Sequence, residues 1–188
     1  MIKDLHTLPA NLPVPQDDGA CDHLPGKVLP ALSLISTAGE AVLISAYAGT
    51  LVIYFYPMLG RPDSPPLVGW NDIPGARGCT PQTCAFRDAH AELKRLGVEV
   101  LGVSAQRLED QQEAHARLQL PFALLHDGEL TLSRALKLPT FEYAGLCLIK
   151  RLTIIARDGV IRKVFYPVFP PDKNASEVIA WLQENHEK

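Results

Sequence analysis

The sequence predicts a single α/β domain, a mixed central β-sheet with helices on both faces. Two apolar, β-prone runs at 51–56 and 98–103 scarcely alternate, as expected of strands buried on both sides. Stretches of helical period at 80–96, 108–118 and 130–136 separate and follow them. The size agrees: 188 residues, 47% hydrophobic and 21% charged, suit one globular domain with an adequate core.

Taken in order, residues 1–26 carry Pro9, Pro13, Pro15 and Pro25 with little apolar period and read as an extended arm, leaving 27–188 as the domain proper. Two short strands follow near 31–36 and 41–44, around the turn Thr37-Ala38-Gly39-Glu40. The run at 51–56 is a central strand that Pro57 stops. Residues 58–74 contain Gly60, Pro62, Pro65, Pro66 and Gly69 and form a long loop, a length that usually signals function or mobility. Thr80 reads as an N-cap and Pro81 as the first residue of the 80–96 helix, with Phe86, Ala89, Leu93 and Leu96 as its apolar stripe. Strand 98–103, helix 108–118, strand 122–125 and helix 130–136 come next. Residues 146–156 and 160–164 read as two strands joined by the hairpin signal Arg157-Asp158-Gly159. An amphipathic helix at 174–185, with Val178, Trp181 and Leu182 inward, ends the chain. That order suits a thioredoxin-like fold.

Composition narrows the function. Eighteen Lys and Arg against 21 Asp and Glu give a net charge of -3, which argues against nucleic acid as a partner. No basic stretch with an apolar h-region opens the chain and no run of 18 apolar residues occurs, so a cytoplasmic, membrane-free setting is expected. Four cysteines are too few for a disulfide scaffold and point to reduced thiols, metal ligands or redox catalysis.

Two of those cysteines share the phrase Gly78-Cys79-Thr80-Pro81-Gln82-Thr83-Cys84-Ala85-Phe86-Arg87-Asp88. Cys79 falls at a helix mouth, where free N–H groups and the macrodipole favour a thiolate. Cys84 falls in the second turn. Five helical residues separate them by roughly 7.5 Å along the axis and about 140° around it, whereas a disulfide needs Cα atoms within about 7 Å and converging Cβ vectors. The pair therefore joins only if the first turns unwind, and oxidation then acts as a conformational switch. Such a pair suits two-electron chemistry. One thiolate attacks a peroxide oxygen and becomes a sulfenic acid, the second thiol condenses with it, and an external dithiol reduces the disulfide. The leaving oxygen needs donors, which the backbone N–H groups around Gly78–Thr80 and an arginine supply.

Phe55-Tyr56-Pro57, then Gly78-Cys79-Thr80-x-Gln82-x-Cys84-x-Phe86-Arg87-Asp88, then Val98 with Leu101-Gly102-Val103-Ser104, resemble the peroxiredoxin Q group, also called bacterioferritin comigratory proteins. The resemblance covers roughly 25–165. It implies a thioredoxin-like fold and a thiol peroxidase acting on hydrogen peroxide or organic hydroperoxides, reduced by thioredoxin or a similar dithiol. It implies neither a metal nor an organic cofactor, and leaves monomer and homodimer both open. It puts Cys79 in the peroxidatic position, Cys84 in the resolving one, Arg151 in the place of the family's arginine, and Pro57, Gly78 and Thr80 around the substrate. Two departures stand out: Ala76 replaces the family's usual Thr or Ser three residues before the nucleophile, and 58–73 is an insertion. Pro74-Gly75-Ala76 and the compact Arg151 hairpin resemble type-five peroxiredoxins instead, an alignment that makes Cys84 the nucleophile; the Cys-x-Phe-Arg-Asp continuation favours Cys79. A redox sensor or thiol–disulfide exchange protein with little turnover is the alternative that Ala76 keeps open.

The remaining candidates read more plainly. Strand alternation through 146–156 places Arg151 on one face with Ile149, Thr153 and Ile155, a poor place for an unpartnered charge. Arg77 and Arg87 read as solvated or ion-paired, Cys147 as core, and Cys21 as an exposed thiol of the arm. Cys21-Asp22-His23 has zinc-ligand residue types without a zinc spacing. His90 lies about 16 Å along the helix from Cys79 and so is not its base. His115 and His126 read as surface and turn residues, and Trp70 as a loop anchor or part of a lid.

Overall fold

A computed structural model of the chain describes residues 5–64 and 67–185. Pro65 and Pro66 of the long loop, and the first four residues of the arm, lie outside the described residues. The central sheet has seven strands in the order β2-β1-β5-β4-β3-β8-β9. They are β1 (Ser33–Ser36), β2 (Ala41–Leu43), β3 (Thr50–Phe55), β4 (Val98–Ser104), β5 (Leu124–His126), β8 (Leu152–Arg157) and β9 (Val160–Phe165). β6 (Thr140–Tyr143) and β7 (Leu146–Ile149) form a separate hairpin. The helices are α1 (Cys79–Arg95), α2 (Leu108–Leu118), α3 (Thr131–Leu136) and α4 (Asn174–Glu184).

β3 pairs parallel with β4 and antiparallel with β8, so the sheet is mixed and its middle strands have no free edge. That burial explains their unbroken apolar sequences. Alternation along β3 sends Val52 and Tyr54 into a core beneath α1, α2 and α4, and Leu51, Ile53 and Phe55 into a second core that holds α3. Burying apolar area on both faces is worth about 25 cal/mol per Å². Tyr54 stacks on Phe86 of α1 with ring centroids 4.6 Å apart, and its hydroxyl donates to Thr83 Oγ1 at 3.3 Å. The start of α1 is thereby fixed to the sheet. Among the described residues no helix is long and apolar enough to cross a membrane.

Four expectations need correction. The run 146–156 is not one strand: β7 ends at Ile149, Lys150 N–H donates to the Pro139 carbonyl at 2.9 Å, and β8 begins at Leu152. Its partner β6 escaped notice because the connecting turn uses Ala144 and Gly145 at φ 49° and 79°, without the Asn-Gly or Asp-Gly dipeptide that signals a hairpin. Ile149 consequently packs in the opposite core from Ile155, and Arg151 sits in the break between two strands. The cap of α1 is Gly78, left-handed at φ 107°, with Cys79 the first helical residue and Thr80 buried inside the first turn. A side chain at position 78 has no room: its Cβ would stand 2.3 Å from Pro171 Cγ, so close approach selects glycine over Thr. Finally, Cys21 is not exposed. The arm folds back through Leu24, His23 Nε2 meets the Leu136 carbonyl at 2.8 Å, and Cys21 is buried in the α3-side core. Burial, reinforced by Asp18, Asp17 and Asp22, pushes its thiol up to about 12.

Candidate active site

Three segments distant in sequence meet at the first turn of α1. Cys79 Sγ receives a hydrogen bond from Arg151 Nη2 at 3.2 Å and lies 3.6 Å from the Ala76 carbonyl oxygen. Arg151, 3% exposed, is held from both ends. Its Nε donates to the Gly75 carbonyl at 3.2 Å, and Nη2 also reaches the Ala76 and Arg77 carbonyls at 3.0 and 3.3 Å. Its Nη1 donates to Gln82 Oε1. Gln82 Nε2 in turn donates to Asn174 Oδ1 at 3.0 Å, the atom that also accepts from Thr153 Oγ1 at 2.6 Å. A buried chain Thr153–Asn174–Gln82–Arg151–Cys79 thus runs from β8 and α4 to the sulfur. The planar fork spreads its donors over the site: Nε and Nη1 go to the Gly75 carbonyl and Gln82 Oε1, while Nη2 is shared between Cys79 Sγ and the Ala76 and Arg77 carbonyls.

A cavity of about 200 Å³ opens beside Cys79, with Gly78, Thr80, Arg77 and Gln106 on its polar side and Met58, Leu59 and Trp70 on its apolar side. Gln106 ties the 58–73 loop to the sheet, accepting from Leu59 N–H at 2.8 Å and donating to the Leu59 carbonyl at 2.9 Å. Trp70 is both anchor and wall: it lines the cavity and meets Tyr143 of β6 edge-on at 5.0 Å. Pro57 ends β3 outside the cavity lining, its carbonyl accepting from Ser104 Oγ at 2.9 Å. Ala76 is buried and contributes only its carbonyl to the site.

Cys84 stands in the second turn of an unbroken α1, and both cysteines are free thiols. Burial pushes the Cys84 thiol up; Arg87 and Arg117 oppose that push and Asp88 adds to it. His6 Nδ1 lies 3.8 Å from Cys84 Sγ. Of the other sequence candidates, Arg87 pairs with Asp88 at 2.8 Å and Arg77 Nη2 donates to the Thr7 carbonyl at 3.3 Å. His90 packs on Phe122, His126 Nδ1 meets the Gln106 carbonyl at 2.8 Å, and Cys147 is half-buried opposite Glu142. Among the described residues no group of three or more His, Cys, Asp or Glu is placed to hold a metal. Sequence reasoning put Thr153 on the face of Arg151 but missed Gln82, Asn174 and His6 as partners in the site. For Gln82 a signal existed, a polar residue inside an otherwise buried helix start.

A buried thiol under a guanidinium at the first turn of a helix, on a mixed sheet of this order, defines a thiol-reactive centre on a redoxin scaffold. The redoxin family model matches residues 24–179. The chloroplastic peroxiredoxin Q of Suaeda salsa is 30% identical over 159 residues, covering 84% of this chain and 67% of the relative. That of Sedum lineare is also 30% identical and is covered over 77% of its length. A solved structure of Xanthomonas campestris peroxiredoxin Q is 25% identical with a TM-score of 0.67, covering 94% of this chain and 99% of that one. Peroxidoxin BcpB of Mycobacterium tuberculosis, 22% identical, shares the fold at a TM-score of 0.71 over 86% of this chain and 98% of its own. The chain belongs to the redoxin family, and within it to the peroxiredoxins of the Q and bacterioferritin comigratory group, which makes it a thiol-dependent peroxidase.

Proposed function

We propose that Cys79 is the nucleophile that attacks the peroxide, that Arg151 stabilises the charge in that step, and that Cys84 resolves the product as an intrachain disulfide. The observation that carries this reading is the 3.2 Å contact of Arg151 Nη2 with Cys79 Sγ, while Cys84 faces no arginine at that distance among the hydrogen bonds of the described residues. Cys79 as thiolate attacks one oxygen of the peroxide; the O–O bond breaks and the other oxygen leaves as hydroxide or alkoxide, taking up a proton. Arg151 and the N–H groups of Gly78 and Thr80 face the charge that develops, the form of stabilisation that contributes most in such sites. The Cys84 thiol then attacks the Cys79 sulfenic acid, forming the S–S bond and releasing water. An external dithiol of the thioredoxin type closes the cycle by exchange.

Unwinding of the first turns of α1 is the conformational step between the two half-reactions, because a wound helix keeps the sulfurs apart. The apolar wall of Met58, Leu59 and Trp70 suits the alkyl group of an organic hydroperoxide, and the cavity also admits hydrogen peroxide. Resolution within one chain needs no second subunit, so the cycle runs in a monomer or a homodimer. Neither a metal nor an organic cofactor enters any step. The cytoplasm, where thiols stay reduced between cycles, is the setting that fits.

The test is stopped-flow oxidation followed by mass spectrometry. Peroxide should convert wild type to a Cys79–Cys84 disulfide, Cys84→Ser to a trapped Cys79 sulfenic acid, and Cys79→Ser to nothing. Loss of the peroxide reaction in Cys84→Ser, with Cys79→Ser still reactive, would exchange the two roles. Hydrogen exchange across 77–88 should rise on oxidation; unchanged protection in the disulfide form would rule out the unwinding step.

A further inference from the structure

The first described residues return across the mouth of this site. Leu5 is buried, lines the cavity and packs against Gly60. The Thr7 carbonyl accepts from Arg77, and Leu8 Cδ2 stands 2.9 Å from where a Cβ on Gly78 would lie. Between these anchors, His6 is exposed to solvent on one side and directs Nδ1 at Cys84 Sγ on the other, 3.8 Å away. These residues lie ahead of the 24–179 segment that the family model matches.

We propose that His6 is the proton acceptor for Cys84 in the resolving step. This rests on the assignment of Cys79 as nucleophile and Cys84 as resolver. A thiol attacks a sulfenic acid as its thiolate, and the buried environment of Cys84 holds the proton on sulfur against the pull of Arg87 and Arg117. An imidazole in contact with the sulfur removes that obstacle, since it takes and gives protons near neutrality. The balance is complete. With α1 still wound, the proton passes from Cys84 Sγ to His6 Nδ1; the first turns then open and Cys84 sulfur bonds to Cys79 sulfur. The Cys79 S–O bond breaks, and the departing hydroxide takes a proton from the imidazolium or from water to leave as water. Because His6 is exposed, its proton equilibrates with solvent between turnovers, which a fully buried base does less readily. Among the described residues, the charges that act on the Cys84 thiol are Arg87 and Asp88 from α1 and Arg117 from α2.

The experiment mixes reduced protein with hydrogen peroxide and follows sulfenate formation and sulfenate decay separately from pH 5.5 to 8.5, in wild type, His6→Ala and His6→Gln. Formation should be unchanged in both variants. Decay should slow by about tenfold or more near neutrality, in the range of a lost general base, and lose the pH-dependent limb that neutral imidazole gives wild type. Added free imidazole should restore decay in His6→Ala, an effect no purely structural role of the segment produces. Decay and pH profile unchanged in both variants would overturn the proposal. So would faster decay, which would make the segment a restraint on unwinding. A Cys84→Ser protein that still forms its disulfide, or a Cys79→Ser protein that still consumes peroxide, removes the underlying assignment and this proposal with it. That outcome is distinguishable because it appears without touching His6.

Discussion

Replacing Arg151 with methionine keeps the length and apolar stem of the side chain and removes the charge, its contact with Cys79 Sγ, and four donations to the Gly75, Ala76 and Arg77 carbonyls and Gln82 Oε1. A hydrogen bond to a charged group contributes about 1.5–3 kcal/mol. During the attack negative charge moves from the sulfur to the leaving oxygen, and a guanidinium bond of that size gained by the leaving oxygen is lost in the variant, which slows peroxide attack by roughly 10- to 150-fold, at about 1.4 kcal/mol per tenfold. Stability falls too, since a buried acceptor left without a donor costs about 1–3 kcal/mol. The two effects separate experimentally. Single-turnover sulfenate formation reads the first, and urea unfolding of the reduced protein reads the second. Arg151→Lys retains a charge without the planar fork, so its rate should fall between wild type and Arg151→Met. A folded Arg151→Met protein that reacts with hydrogen peroxide within threefold of wild type would refute the assignment of Arg151.

Three further outcomes follow from the same geometry. Gln82→Leu cuts the link between Arg151 and Asn174, leaving buried polar atoms short of partners at about 1–3 kcal/mol; peroxide attack should slow less than in Arg151→Met, and an unchanged rate and unfolding midpoint would show that the chain does not position the guanidinium. Gly78→Ala forces a Cβ to within 2.3 Å of Pro171 Cγ at φ 107°. At about 1–3 kcal/mol of strain, its Tm should drop by roughly 2–12 °C, and a scanning calorimeter showing no drop would remove the steric account of the cap. Cys21 binds its proton more tightly folded than unfolded, so its stabilising effect is complete below the ordinary thiol value of 9.0 and is lost as pH rises from there toward about 12. Unfolding free energy measured from pH 8 to 11 should therefore decline more steeply in wild type than in Cys21→Ala, and parallel curves would contradict it.

The local chemistry was readable from the chain because it depends on neighbours in sequence. Apolar runs announced β3 and β4, the 3.6-residue stripe announced α1, and Asp158-Gly159, both left-handed in the turn, announced the β8–β9 hairpin. Cys79 and Cys84 could be placed on one helix, and set apart on it, from spacing alone. What joins Arg151 to Cys79 spans 72 residues and depends on a break between β7 and β8 that no periodicity marks, because β7 and β8 are both apolar. The choice of Gly78 over Thr80 as cap came from Pro171, the burial of Cys21 from the return of the arm, and the meeting of His6 with Cys84 from a segment of little pattern. Sequence fixes which groups are reactive and which face of its own element each one takes, since φ, ψ and period are local. Which groups touch is decided by packing between elements far apart along the chain, where steric fit and the need to satisfy every buried donor choose the partners.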